Sequence, residues 1–135
     1  MAHTADLRVE AWAPTAEGCV REAVRAVVEG FADTSGARPA GERVCAVTAD
    51  SDEDLLVSVL EEVIYRMDVD GEIPLDTEVE TVRAAGGGRA VSVRFTMAEA
   101  DTAEQIGAVP KAVSLHRLHL TGGREGWSCQ VTLDV

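Results

Sequence analysis

The sequence predicts an α+β fold: a single domain over residues 1–135 in which two helices pack on a largely antiparallel β-sheet. Three observations carry this reading. Two stretches of apolar residues at helical spacing lie in the first half. The second half is almost all strand-like pattern. Two glycine clusters, Gly86-Gly87-Gly88 and Gly122-Gly123 with Gly126 beyond, separate consecutive strand-like stretches as hairpin turns do. Helices preceding hairpins place the chain among folds that lay helices on antiparallel sheet. At 135 residues it is long enough to bury a core without metals or disulfides as obligatory staples.

Each element has its own cause. Leu7, Val9 and Ala11 alternate with Arg8, Glu10 and Trp12, which predicts a first strand with one buried face. Pro14-Thr15 ends it, and Thr15 is placed to cap a helix of about four turns whose stripe is Cys19, Val20, Ala23, Val24, Val27, Val28 and Phe31. Residues 33–42, with Gly36, Pro39 and Gly41, read as a loop, and 44–48 as a second strand. A second helix begins at Asp50-Ser51, with a wide stripe of Leu55, Leu56, Val59, Leu60, Val63, Ile64 and Met67. Asp52, Glu53 and Asp54 fall in its first turn, where carboxylates interact well with the positive end of the helix dipole. Gly71 and Pro74 close this unit. Residues 78–84, 90–98, 112–120 and 127–135 read as strands, and 99–109 as a polar, irregular surface loop.

The charge narrows the function classes. Twelve basic residues against 24 acidic ones give a net charge of -12, which steers cations, metal ions or a basic protein surface toward the chain. No basic stripe is evident and aromatic residues are few, which argues against direct phosphate-backbone binding and against a base-stacking platform. Cys19, Cys45 and Cys129 are odd in number and widely spaced, so they read as small buried apolar residues rather than a disulfide framework or zinc knuckle. With neither a signal-like start nor a membrane-length apolar run, a reducing cytoplasm is the expected location.

The catalytic inventory is sparse. The chain carries no phosphate-binding loop, dinucleotide fingerprint or metalloprotease motif, and the glycine clusters alone are too weak to indicate phosphate binding. Asp6 precedes the first strand and Asp134 ends the last, so pairing of those strand ends would bring two carboxylates together. Their repulsion would be relieved by a cation, and hard carboxylate oxygens suit calcium, magnesium or manganese better than zinc. A free terminal carboxylate at Val135 would add a further anionic oxygen. The other reading of the same residues is a turn cap at Asp6 and a solvated charge at Asp134. On an extended segment Ser114 and His116 would share one face while Lys111, Val113 and Leu115 take the other. Lys111 offers a point charge to phosphate or carboxylate, and His116 can exchange a proton near neutral pH. The alternative is a hydrated strand face. His3 reads either as an orienting neighbour of Asp6 or as a mobile residue near the start, and His119 as a solvated strand residue.

Several of these stretches together resemble the archease family: His3-Thr4-Ala5-Asp6 opening the first strand, an acidic helix start running into Asp54-Leu55-Leu56, the late segment Lys111-Ala112-Val113-Ser114-Leu115-His116, and the closing Leu133-Asp134-Val135. The resemblance spans nearly the whole chain. It implies an accessory protein that is not itself an enzyme and that activates the RNA-splicing tRNA ligase joining 2',3'-cyclic phosphate or 3'-phosphate ends to 5'-hydroxyl ends, helping it to take up guanylate and turn over. It further implies a divalent metal, calcium first with magnesium or manganese as alternatives, on Asp6, Asp134 and Val135. GTP then belongs to the ligase, RNA is met only through it, and no membrane is involved. Lys111, Ser114, His116 and His3 become candidates for contact with the ligase or its nucleotide. The family often has Thr and Tyr where this chain has Ser114 and Leu115, so a hydroxyl is kept and an aromatic one lost. Two other classes stand beside this reading: a chaperone or adaptor for another nucleic-acid enzyme, and a small metal-dependent phosphoesterase using His116 or Glu99 as general base.

Overall fold

The computed structural model describes residues 6–82, 86 and 88–135. In chain order the elements are β1 (Asp6–Ala13), α1 (Ala16–Phe31), β2 (Ala32–Asp33), β3 (Pro39–Ala49), α2 (Asp52–Tyr65), β4 (Glu72–Val82), β5 (Arg89–Glu99), β6 (Glu104–Gln105), β7 (Ala112–Gly123) and β8 (Gly126–Asp134). They form two three-stranded sheets, ordered β1-β8-β7 and β3-β5-β4, and a small pair, β2-β6. Every one of these pairings is antiparallel. Each helix touches both large sheets: α1 lies against β1, β7 and β8 on one side and β4 on the other, while α2 reaches β7 on one side and β3 and β5 on the other. The helices thus form a middle layer, and each sheet has an outer face turned away from it.

Both helices start as their first residues dictate. The Thr15 hydroxyl accepts from the Gly18 N–H at 3.0 Å, and Ser51 accepts from the Asp54 N–H at 3.1 Å; each cap contributes about 1 kcal/mol. The predicted stripes are the faces that bury, with Cys19, Val20 and Val27 of α1 and Leu55, Leu56 and Val63 of α2 inaccessible to solvent. Each such leucine contributes about 2 kcal/mol through apolar burial. A π-helical turn, Arg66–Asp70, follows α2, and Gly71 ends it in the left-handed region at φ 66°.

Three predicted boundaries are corrected. Residues 33–42 are not all loop, because β3 begins at Pro39 and Ala32–Asp33 forms a strand. Pro74 does not close the helical unit; it lies inside β4, an edge strand whose register shifts between Pro74 and Asp76, and a bulged edge tolerates a residue with no N–H to give. Residues 99–109 are not uniformly irregular, since Glu104–Gln105 pairs with Ala32–Asp33 and the Ile106 N–H donates to the Phe31 carbonyl at 2.8 Å. Gly107 makes that closeness possible, for a Cβ there would stand 2.5 Å from the Gly30 carbonyl oxygen. Part of the predicted 78–84 strand and of the Gly86-Gly87-Gly88 turn lies outside the described residues.

The thiols behave as apolar groups. Cys19 and Cys129 are buried beside each other, the Cys19 thiol donating to the Ala11 carbonyl at 3.5 Å and the Cys129 thiol to the Cys19 carbonyl at 3.9 Å, while Cys45 is half-buried. Burial pushes the Cys129 thiol up to about 12 and raises Cys19 and Cys45 as well. Because thiolate is the reacting species, native protein at mildly alkaline pH is expected to react with a thiol reagent far more slowly than the same chain in denaturant. Fast native labelling of Cys129, read by peptide mass, would contradict this.

Candidate functional site

The outer face of the β1-β8-β7 sheet is built by alternation. Val9, Ala11, Cys129, Val131, Leu133 and Leu120 turn to the helices and are buried, which sends their neighbours the other way. Register then sets outward rows across the three strands. Asp6 lies opposite Asp134, which lies opposite Ala112; next come Arg8, Thr132 and Ser114; then Glu10, Gln130 and His119; then Trp12, Ser128 and Thr121.

The first row unites two of the predicted site residues. Directly opposed residues in antiparallel sheet have Cβ atoms about 5 Å apart, so the Asp6 and Asp134 carboxylates leave the sheet side by side. Asp6 is exposed, whereas Asp134 and Val135 are half-buried. Ala112, third in the row, has too short a side chain to cover them. Lys111 joins the same corner through its backbone, its N–H donating to the Asp134 carbonyl at 2.7 Å. Its exposed side chain leaves on the helix-facing side, opposite to Ala112, beside Ile64 and Met67. His3 lies outside the described residues.

Beyond Ser114 the predicted alternation fails. Ser114 pairs with Thr132 and His119 with Gln130, so residues 115–118 bulge out opposite a single residue of β8. Arg117 takes a left-handed backbone at φ 58°, and its carbonyl accepts from the Gln130 side chain at 3.3 Å. The His116 main-chain N–H donates to the Ser114 hydroxyl at 3.2 Å, a local turn rather than a contact of the imidazole. Ser114 and His116 thus do not sit as alternate residues of one regular strand face. The bulge exposes His116 and 70% of Leu115, as bulges re-aim side chains elsewhere. His119, expected to be solvated, is half-buried. Glu99 belongs to the other large sheet and faces Arg38 at 3.4 Å.

Chemically, the corner offers two hard carboxylates on the outward face. Two such ligands give a weak, open site for a hard divalent ion, with further oxygens needed to complete its shell. Among the described residues no group of three or more His, Cys, Asp or Glu side chains converges. A groove of about 460 Å³ opens next to Lys111, lined also by Ile64, Met67, Asp68, Val109 and Pro110. That groove was not foreseen, because Ile64 and Met67 read as interior helix stripe. The remaining signal was available, since Lys111 is the only lysine in the chain. Among the described residues no helix is long and apolar enough to cross a membrane.

Comparison with known proteins agrees with this architecture. A "Probable protein archease" of Mycobacterium tuberculosis is 54% identical over 133 residues, covering 98% of this chain and 72% of that protein. A "Protein archease" of Methanosarcina barkeri is 26% identical over 138 residues, covering 98% and 92%. The solution structure of a Methanobacterium thermoautotrophicum protein matches the fold with a TM-score of 0.78 at 23% identity, over 100% of this chain and 96% of that one. The crystal structure of a Thermotoga maritima protein described as an archease and possible chaperone does so with a TM-score of 0.66 at 19% identity, over 100% and 94%. The archease protein family matches residues 1–135 throughout, and the chain belongs to that family.

Proposed function

We propose that this protein is a non-catalytic, metal-binding activator of an RNA-splicing tRNA ligase, promoting its guanylylation and multiple turnover in the cytoplasm. The observation that carries the reading is the direct pairing of Asp6 with Asp134 beside Lys111, at one open corner of a sheet. Asp6, Asp134 and Val135 would hold the ion, calcium first and magnesium or manganese as alternatives. Bound there, a divalent ion would offset phosphate charge. The protein's own residues do the remainder. Ala112 leaves the carboxylates uncovered for an incoming oxygen ligand, and Lys111, at the adjoining groove, offers an ammonium to the ligase or its nucleotide. His116, Ser114 and His3 are further candidates for contact with the ligase or its nucleotide. The acidic surface, net -12, speeds encounter with a basic partner. GTP and the RNA ends to be joined are bound by the ligase.

A chaperone or adaptor role without metal is the second reading, in keeping with the description of the Thermotoga relative as a possible chaperone. Equilibrium dialysis against calcium, magnesium and manganese separates the two. One equivalent of bound ion, lost in Asp134→Asn while the melting curve is unchanged, is the expected result. Wild-type protein that retains no ion at millimolar concentration would remove the metal from the account.

A further inference from the structure

We propose that the groove between Trp12 and the β7–β8 hairpin binds single-stranded RNA, with a base on the Trp12 indole and a phosphate at Arg124. The groove lies at the opposite end of the β1-β8-β7 sheet from the paired aspartates. Its volume is about 670 Å³, and Trp12, Thr121, Arg124, Glu125, Trp127 and Ser128 are among its lining residues. Trp12 is 67% exposed there, a large aromatic surface open to solvent. Trp127, by contrast, packs against the core and forms the floor.

Charge points to the ligand. Each described arginine from Arg21 to Arg94 is held in an ion pair. Among the described residues Arg8, Lys111, Arg117 and Arg124 are in none, and all four lie on or beside β1 and β7. Residues 105–124 contain no Asp or Glu at all. Among the described residues, the cations without a carboxylate within 4 Å therefore gather around one sheet, which also carries Asp6, Glu10, Glu125 and Asp134. An anion with aromatic groups fits that sheet better than an acidic protein surface, because stacking uses the exposed indole and the phosphates use the cations. Thr121, Ser128 and Glu125 add hydroxyl and carboxylate partners for a ribose 2'-hydroxyl or a base amino group.

The geometry extends the site. Trp12 and Asp6 are six residues apart on β1, about 20 Å at strand rise, with Arg8 and Glu10 between them on the same outward face. A strand of RNA lying along β1 would run from the groove to the aspartate corner. The overall negative charge opposes approach from a distance and is screened beyond about 10 Å at ordinary salt, so binding depends on these local contacts. The inference concerns the protein alone, stands apart from any ligase, and departs from the expectation drawn from overall charge and aromatic content that RNA is met only through a ligase.

The test is fluorescence anisotropy of labelled oligo(A) RNA with wild-type protein and with Trp12→Ala, Arg124→Glu and Arg94→Glu, each checked for unchanged thermal unfolding. Arg94 sits on the other sheet, paired with Glu78 at 3.6 Å. Saturable binding that weakens about tenfold or more in both groove variants and stays unchanged in Arg94→Glu is the expected result. No binding at low ionic strength, or equal loss in all three variants, would overturn the proposal. Equal affinity for oligo(dA) would overturn the assignment to RNA.

Discussion

Phe95→Ala is expected to lower the free energy of unfolding by about 4 kcal/mol, the usual cost of emptying a fully buried aromatic site. Phe95 has no solvent exposure. It sits mid-way along β5, the central strand of its sheet, opposite Arg43 of β3 and Thr77 of β4. Its ring therefore meets the helical layer from a position that neither edge strand can relax to fill. Phe95→Leu keeps most of the volume and should cost about 1.5 kcal/mol or less. Urea denaturation of the three proteins checks the order, and equal stability of Phe95→Ala and wild type would show that the helices do not pack on this sheet as described.

Arg89→Ala is expected to cost about 3 kcal/mol, through charge rather than volume. The Arg89 guanidinium donates to the Glu17 carboxylate at 2.8 Å. Its Nε also stands 2.8 Å from Asp52 Oδ1, although not aligned for a hydrogen bond. One side chain at the start of β5 thus ties α1 to the first turn of α2. Without it two poorly hydrated carboxylates remain, and breaking such a pair costs about 3–5 kcal/mol when fully buried. The lower end applies because Arg89 is 32% exposed. Arg89→Met, which retains the apolar stem, should lose nearly as much, and a near-neutral result there would assign the effect to packing instead.

The same cluster sets a pH dependence. The Thr81 hydroxyl donates to Glu17 and, with Arg89, holds its carboxyl below the ordinary value of 4.5, against the opposing effect of burial. A lowered folded-state value means that this stabilisation is full above the unfolded value and disappears as pH falls through the folded one. Wild-type stability should therefore drop below about pH 4.5, and Arg89→Ala should flatten that part of the curve without abolishing it, since Thr81 still donates.

What could be read from residue order alone was whatever local pattern determines. The cap at Thr15, the start of the second helix at Asp50-Ser51, both buried helix stripes and the alternation of Leu7, Val9 and Ala11 are set by neighbours within a turn or two. Contacts between distant segments were not legible in that way. Pro74 reads as a terminator until an edge position and a bulge make room for it. Glu104–Gln105 becomes a strand only because Ala32–Asp33 lies next to it, and the Arg89–Glu17 pair spans 72 residues. At the site, two aspartates near opposite ends of the chain were conspicuous, and the register of β1 on β8 sets them face to face. The bulge after Ser114 had no such signal, for Leu115-His116-Arg117 carries neither glycine nor proline. The exposed Trp12 likewise looked like any other residue of an alternating strand.

The most direct measurement is multiple-turnover guanylylation of the 3'-phosphate RNA ligase from the same organism, with and without this protein and its Asp6→Asn variant. The account predicts stimulation by the wild type and none by Asp6→Asn, with the variant folded and still able to associate with the ligase. Stimulation by Asp6→Asn equal to that of wild type would contradict the role assigned to the paired aspartates. No stimulation of an active ligase by the wild type would contradict the activator reading itself.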